Sequence, residues 1–173
     1  MTTGFFGKIP ATGDFVGWNL PRIFTDRWDR WMSMELRDRP ETGDLDRRSW
    51  RFAIKGGIFG DQPCAGAWRM SRDRVGRRYP FAIVRLGEVP DANDGWYDAI
   101  ADCLKGAVEG GWTTDEITRQ LASVPPPSTR SAPERIAFWC DDWEVQELAF
   151  ADIHELAEKG LPAMRAASAV EAP

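Results

Sequence analysis

Residues 50–86 read WRFAIKGGIFGDQPCAGAWRMSRDRVGRRYPFAIVRL, and the fold turns on this stretch. Trp50, Phe52 and Ile54 alternate with polar or small residues, the period-two pattern of a half-buried strand. Ala65–Met70 and Tyr79–Leu86 follow as two more strands, set apart by glycine, proline and aspartate in turn positions. Three strands in succession favour an antiparallel meander.

Upstream, Phe5–Ile9 is a short apolar run between Gly4 and Pro10, and Gly13-Asp14 opens a turn before Phe15-Val16, so a hairpin is expected. Pro21 stands where proline suits the first position of a helix, which runs to about Arg39 with Pro40 beyond it. At about 100° per residue, Phe24, Trp28, Trp31, Met32 and Leu36 share the inward face, and Arg22, Asp26, Asp29, Arg30 and Ser33 the outward one. Glu35 falls within the apolar face, where an unpaired carboxylate is costly, so Arg51 or Arg77 is expected as its partner.

Downstream, Asp94 caps a second helix to about Glu109 with Trp96, Ile100, Cys103, Leu104 and Ala107 inward, and Gly110-Gly111 stops it. Thr113 and Glu116 have capping-box spacing and open a third helix through Ile117 and Leu121. After the Pro/Ser-rich connection Val124–Pro133, Arg135–Cys140 reads as strand. Val145–Phe150 suits strand or helix, with strand preferred, and a last helix is expected near Ile153–Lys159. The expected fold is α+β: one domain over residues 1–173 with a central, mainly antiparallel sheet of about five or more strands flanked by helices, and a flexible tail after about 168.

Composition narrows the function classes. With 27 acidic against 22 basic residues the net charge is -5, which offers no general attraction for nucleic acid or anionic lipid. The N-terminus lacks the pattern of a signal peptide, and no run approaches the ~18 apolar residues of a membrane span, so a cytoplasmic protein is expected. Cys64, Cys103 and Cys140 are an odd, scattered set without a C-x-x-C pair, which points to buried thiols rather than a disulfide or a zinc site.

His154 is the single histidine, and ADIHELAEK around it contains no second ligand or H-E-x-x-H pattern. There is no G-x-S-x-G elbow, and Gly4-Phe5-Phe6-Gly7-Lys8 has the wrong spacing for a phosphate loop. No catalytic residue, metal or cofactor is therefore expected.

Two features suit protein recognition. The run Arg69–Arg78 is the one dense basic segment; its arginines either clasp a phosphate or acidic peptide, or pair with nearby carboxylates within a strand connection. Tryptophan is abundant, and Trp18, Trp112 and Trp143 fall in expected turns, where loops display anchors at the surface. The candidate protein-binding residues are Asp14, Phe15 and Trp18 in the first loop and Arg72, Arg74 and Arg77 in the basic turn. The competing reading makes both motifs architectural, with Phe15 in the core and Asp14 capping the helix or pairing with Arg77.

The order Gly4-Phe5-Phe6-Gly7-Lys8-Ile9-Pro10, Gly13-Asp14-Phe15-Val16, Leu20-Pro21 and Trp28-Asp29-Arg30-Trp31 resembles the N-terminal signature of the TagF/ImpM family. Trp50-Arg51-Phe52, the small residues through Gly66, and Ser71–Phe81 resemble its middle segment, and Gly160-Leu161-Pro162 its end. The resemblance implies a non-enzymatic, post-translational repressor of bacterial type VI secretion. Its implied partner is a cytoplasmic scaffold protein containing a forkhead-associated domain. Some members of the family carry the domain fused to a protein phosphatase; here any phosphatase is expected on a separate chain. The order of elements also resembles longin-type adaptor folds, an analogy of fold alone. The rival functions are a hydrolase acting on a phosphorylated component and a structural accessory subunit of the secretion apparatus.

Overall fold

A computed structural model describes residues 1–36, 47–130, 133, 136–140 and 143–148, of which the side chains of Glu35, Leu36 and 143–148 are left undescribed. In chain order the elements are β1 (Thr2–Gly7), β2 (Val16–Trp18), α1 (Arg22–Leu36), β3 (Ser49–Ile54), β4 (Cys64–Arg72), β5 (Arg78–Leu86), α2 (Trp96–Glu109), α3 (Thr114–Ser123), β6 (Ile136–Cys140) and β7 (Trp143–Leu148). The strands form one seven-stranded sheet in the order β2-β1-β5-β4-β3-β6-β7. Every neighbouring pair is antiparallel. The fold is thus α+β, with the expected meander β3-β4-β5 at its centre, in a register that sets Trp50 opposite Trp68 and Trp68 opposite Ala82.

Helices cover both faces of the sheet. On one, α1 lays Phe24, Trp28, Trp31 and Met32 over Trp50, Phe52 and Ile54 of β3, Trp68 and Met70 of β4, and Phe138 of β6. Trp28 packs its ring on Phe52 at 5.1 Å and on Phe59 at 5.2 Å between centroids, so the α1 interface is largely aromatic. On the other face, α2 and α3 bring Trp96, Tyr97, Ile100, Leu104, Ile117 and Leu121 onto Ala65 and Ala67 of β4 and Phe81 and Ile83 of β5. β4 is buried from Cys64 to Ser71 because both its faces are covered, which is why its residues there are small or apolar except Arg69, which pairs with Glu109.

The starts of α1 and α3 carry out what their sequences promise. Pro21 O accepts from Phe24 N at 3.0 Å and Thr25 N at 3.1 Å, starting α1 at the expected place. Thr113 and Glu116 form the complete capping box at the start of α3. Asp94, expected to cap α2, instead stands one residue before the N-cap, Gly95, which makes no side-chain cap bond, and the Asp94 carboxylate ties segments together. Oδ1 accepts from Trp96 N at 2.9 Å, and Oδ2 accepts from Ser128 Oγ (2.9 Å), Thr129 N (2.8 Å) and Thr129 Oγ1 (2.7 Å), stapling the start of α2 to the segment before β6.

Several expectations change. The first strand runs from Thr2 to Gly7 rather than Phe5 to Ile9, because it pairs with β5 along its whole length, from Thr2 opposite Leu86 to Gly7 opposite Phe81. Trp143 lies in no turn; it is the first residue of β7, paired opposite Cys140. Trp112 is half-buried, not an exposed anchor. Its ring fills the space a side chain would need at Gly106, with Cη2 only 2.3 Å from the ideal Cβ position, and so it packs α3's entry against α2. Arg51 reaches Asp98 at 2.9 Å and Arg77 reaches Asp73 at 2.7 Å, while the pairing expected of either with Glu35 falls outside the described residues. The Glu35 side chain, the helix expected at Ile153–Lys159, His154 and the tail after 168 lie outside the described residues. Cys64, Cys103 and Cys140 are free and buried. Among the described residues no helix is long and apolar enough to cross a membrane.

Candidate functional site

The sheet order places β5 between β1 and β4, so the β1–β2 loop and the β4–β5 turn emerge side by side at one end of the sheet. The turn is built around Asp73. Its Oδ1 accepts from Val75 N (3.1 Å) and Arg77 N (2.8 Å), and Gly76, at φ +86°, supplies the left-handed residue that closes it. The Asp73 side chain is completely buried, and Oδ2 meets two cations, Arg77 Nε at 2.7 Å and Lys8 Nζ at 3.1 Å. Lys8 reaches it from the first loop. Two further bonds tie the loops together: Arg74 N donates to Thr12 O at 2.7 Å, and the Arg77 guanidinium donates to Gly13 O.

A buried carboxylate persists as an anion only when its lone pairs are met. Burial raises the Asp73 pKa, but the hydrogen bonds from the Arg77 backbone and guanidinium and from Lys8, together with the Lys8 charge, outweigh it. The carboxyl is held well below the ordinary carboxylate range. Lys8 Nζ also lies 5.1 Å from the centre of the Phe15 ring. That ring stacks on Phe6 at 5.5 Å and meets Tyr79 edge-on at 4.7 Å. Burial, and then the charge of Asp29, push the Tyr79 phenol up, so it stays neutral beneath Phe15.

The six residues singled out in the sequence fall into two groups. Arg77 holds the loops together, Arg72 Nη1 donates to Gly76 O within its own turn at 3.0 Å, and Asp14 Oδ1 accepts from Phe15 N at 2.8 Å. Asp14 thus neither caps α1 nor takes Arg77, whose carboxylate partner is Asp73. Phe15, Trp18 and Arg74 remain displayed. Phe15 is 42% and Trp18 41% exposed, large values for aromatic side chains. The exposed Arg74 guanidinium lies beside Gly13, with Nη2 3.6 Å from the ideal Cβ position there, and forms no ion pair among the described residues. Sequence reasoning missed Lys8 and Asp73, whose charges are buried against each other; both lie within the motifs, but neither motif alone reveals the pairing.

Trp18 stacks on Phe5 at 5.9 Å and is the last residue of β2. Asn19, at φ +55°, turns the chain away and anchors its side-chain amide on Thr3 O at 2.8 Å. Between β2 and α3 lies an open groove of about 630 Å³. Phe5, Phe15 and Trp18 form its apolar wall, and Thr114, Asp115, Thr118 and Arg119 of α3 face them. The α3 side of this groove was not legible in the sequence, because nothing local brings residues 114–122 beside residues 15–18.

Residues 4–124 match the family model described as TagF N-terminal domain, type VI secretion system-associated. The crystal structure of PA0076 from Pseudomonas aeruginosa PAO1 is similar, with a TM-score of 0.62 and 28% identity over 90% of this chain and 74% of that one. No curated protein matches the chain. The matched span includes both loops, β2 and all of α3.

Proposed function

The chain belongs to the type VI secretion-associated TagF N-terminal domain family, and from that premise we propose that it is a non-catalytic, cytoplasmic, post-translational repressor of type VI secretion. It acts by binding the forkhead-associated-domain scaffold protein and withholding it from assembly. The observation that carries the binding reading is that Phe15, Trp18 and Arg74 are left displayed on β2 and the two loops beside it, which a buried ion network ties together. Aromatic anchors and an unpaired arginine are the side chains that dominate protein interfaces, and pre-organised loops lose little entropy on binding. Arg74 suits a carboxylate or phosphate on the partner through charge-assisted hydrogen bonds. The net charge of -5 disfavours nucleic acid and anionic lipid as partners, which leaves local recognition of protein as the supported mode.

The test is a secretion assay in a strain with an active type VI apparatus. Overproduction of the protein is expected to restrain secretion, and the folded Trp18→Ala and Arg74→Ala variants are expected to fail to do so. Undiminished secretion on overproducing the unaltered protein overturns the repressor reading.

A further inference from the structure

Among the described residues β2 pairs with β1 on one side and ends the sheet on the other. The outer side of such a strand presents backbone N–H and C=O groups without ladder partners, a template for another extended chain. β2 is a short edge of three residues, Val16-Gly17-Trp18, with neither lysine nor proline, and the space beside it is the groove of about 630 Å³. Gly17 and Trp18 are exposed, so the edge is open to solvent along most of its length.

The opposite wall of the groove is charged. Asp115 and Arg119 are one helical turn apart on α3, the spacing at which an acid and a base ordinarily pair. Both are exposed, and neither forms an ion pair among the described residues. The site therefore combines the outer strand backbone, the exposed Trp18 ring and two charges of opposite sign without an ion pair among the described residues, while the Phe15 ring lies across the sheet on Phe6 and Tyr79.

We propose that this groove receives an extended segment of the partner protein, which adds to the sheet alongside β2. An apolar side chain of that segment seats on the Trp18 ring, and a carboxylate pairs with Arg119; Asp115 favours a basic or amide residue at the neighbouring position. Main-chain pairing supplies the docking and the alternate side chains supply the selectivity, as in other strand-addition sites. The inference rests on the reading that this end of the protein is its partner surface, and adds to it the conformation and charge order of what binds.

The test places the photo-crosslinker p-benzoylphenylalanine at position 122, where the exposed Ala122 lines the groove, in the full chain produced in its own bacterium. The expected result is an adduct whose sequenced peptide carries an apolar residue flanked by a carboxylate. Its yield should fall at least about tenfold in the Arg119→Glu variant, and amide hydrogen exchange at Gly17 and Trp18 should slow in the complex. If the adduct is with the forkhead-associated scaffold, both readings stand. If it is with such a segment of a different protein, strand addition stands and the scaffold falls. An adduct with a second copy of this chain, a yield unchanged by Arg119→Glu, or no adduct at all overturns strand addition. Direct binding of the scaffold to the Trp18→Ala and Arg74→Ala variants then judges the partner reading on its own.

Discussion

Replacing Asp94 with alanine removes the carboxylate that joins α2 to the segment before β6, and with it four hydrogen bonds. The loss of the Trp96 N–H acceptor resembles the loss of a helix cap, about 1 kcal/mol. The Thr129 N–H and hydroxyl lose their acceptor in a half-buried site, where an unmet donor costs about 1–3 kcal/mol, reduced here by partial access of water. The sum is a destabilisation of about 2–4 kcal/mol, or a fall in Tm of about 5–15 °C for a chain of this size. Asp94→Asn keeps one acceptor oxygen and should lose about half as much. Urea denaturation at neutral pH, with the slope m unchanged, measures the difference.

The pH dependence supplies the control. Burial raises the Asp94 pKa, but hydrogen bonds from Thr129, Trp96 and Ser128 outweigh it and leave the carboxyl below its ordinary range. Its stabilisation is therefore complete above the unfolded value of about 3.9 and is lost as pH falls through the folded pKa. The gap between the unaltered protein and Asp94→Ala should be constant from about pH 8 to pH 5 and close in acid. A difference below about 0.5 kcal/mol at neutral pH, the range of a neutral surface substitution, refutes the staple.

The same sign holds for Asp73: its carboxyl is held low, so Asp73→Asn should lower Tm at neutral pH, with the gap closing as acid protonates the native carboxylate; a gap constant down to pH 2 contradicts the buried network. Gly76→Ala meets no atom within 4 Å and pays only for the left-handed backbone, so it should cost about 1–2 kcal/mol by chemical denaturation while its circular dichroism is unchanged. Burial pushes the Cys64 and Cys103 thiols up and all three cysteines are buried, so an aromatic disulfide reagent should titrate fewer than one thiol in the native protein and three in urea.

Local pattern made much of this fold legible. Trp50, Phe52 and Ile54 announce a strand, Thr113 and Glu116 announce a helix start, and the α1 stripe from Phe24 to Met32 is buried as its period requires. Where several strands follow one another directly, as from β3 to β5, local pattern also yields the pairing. It does not yield pairings between distant segments. Nothing near Thr2 specifies that β1 lies between β2 and β5, and nothing near Ile136 places β6 against β3. The site divides in the same way. Both loops were visible as motifs, and the exposed Phe15 and Trp18 were among their candidates. The choice of Asp73 over Asp14 as Arg77's partner depends on depth of burial, which residue type cannot encode: Asp73 is enclosed, whereas Asp14 faces solvent. The α3 wall of the groove is a product of tertiary packing alone.

The partner reading is tested most directly by isothermal titration of the purified forkhead-associated scaffold into the full chain and into the Trp18→Ala and Arg74→Ala variants, each first shown to keep the native Tm. Saturable binding is predicted for the unaltered protein, with each truncation costing about 1–3 kcal/mol of affinity. Absence of binding by the unaltered protein, or equal affinity for all three, contradicts it.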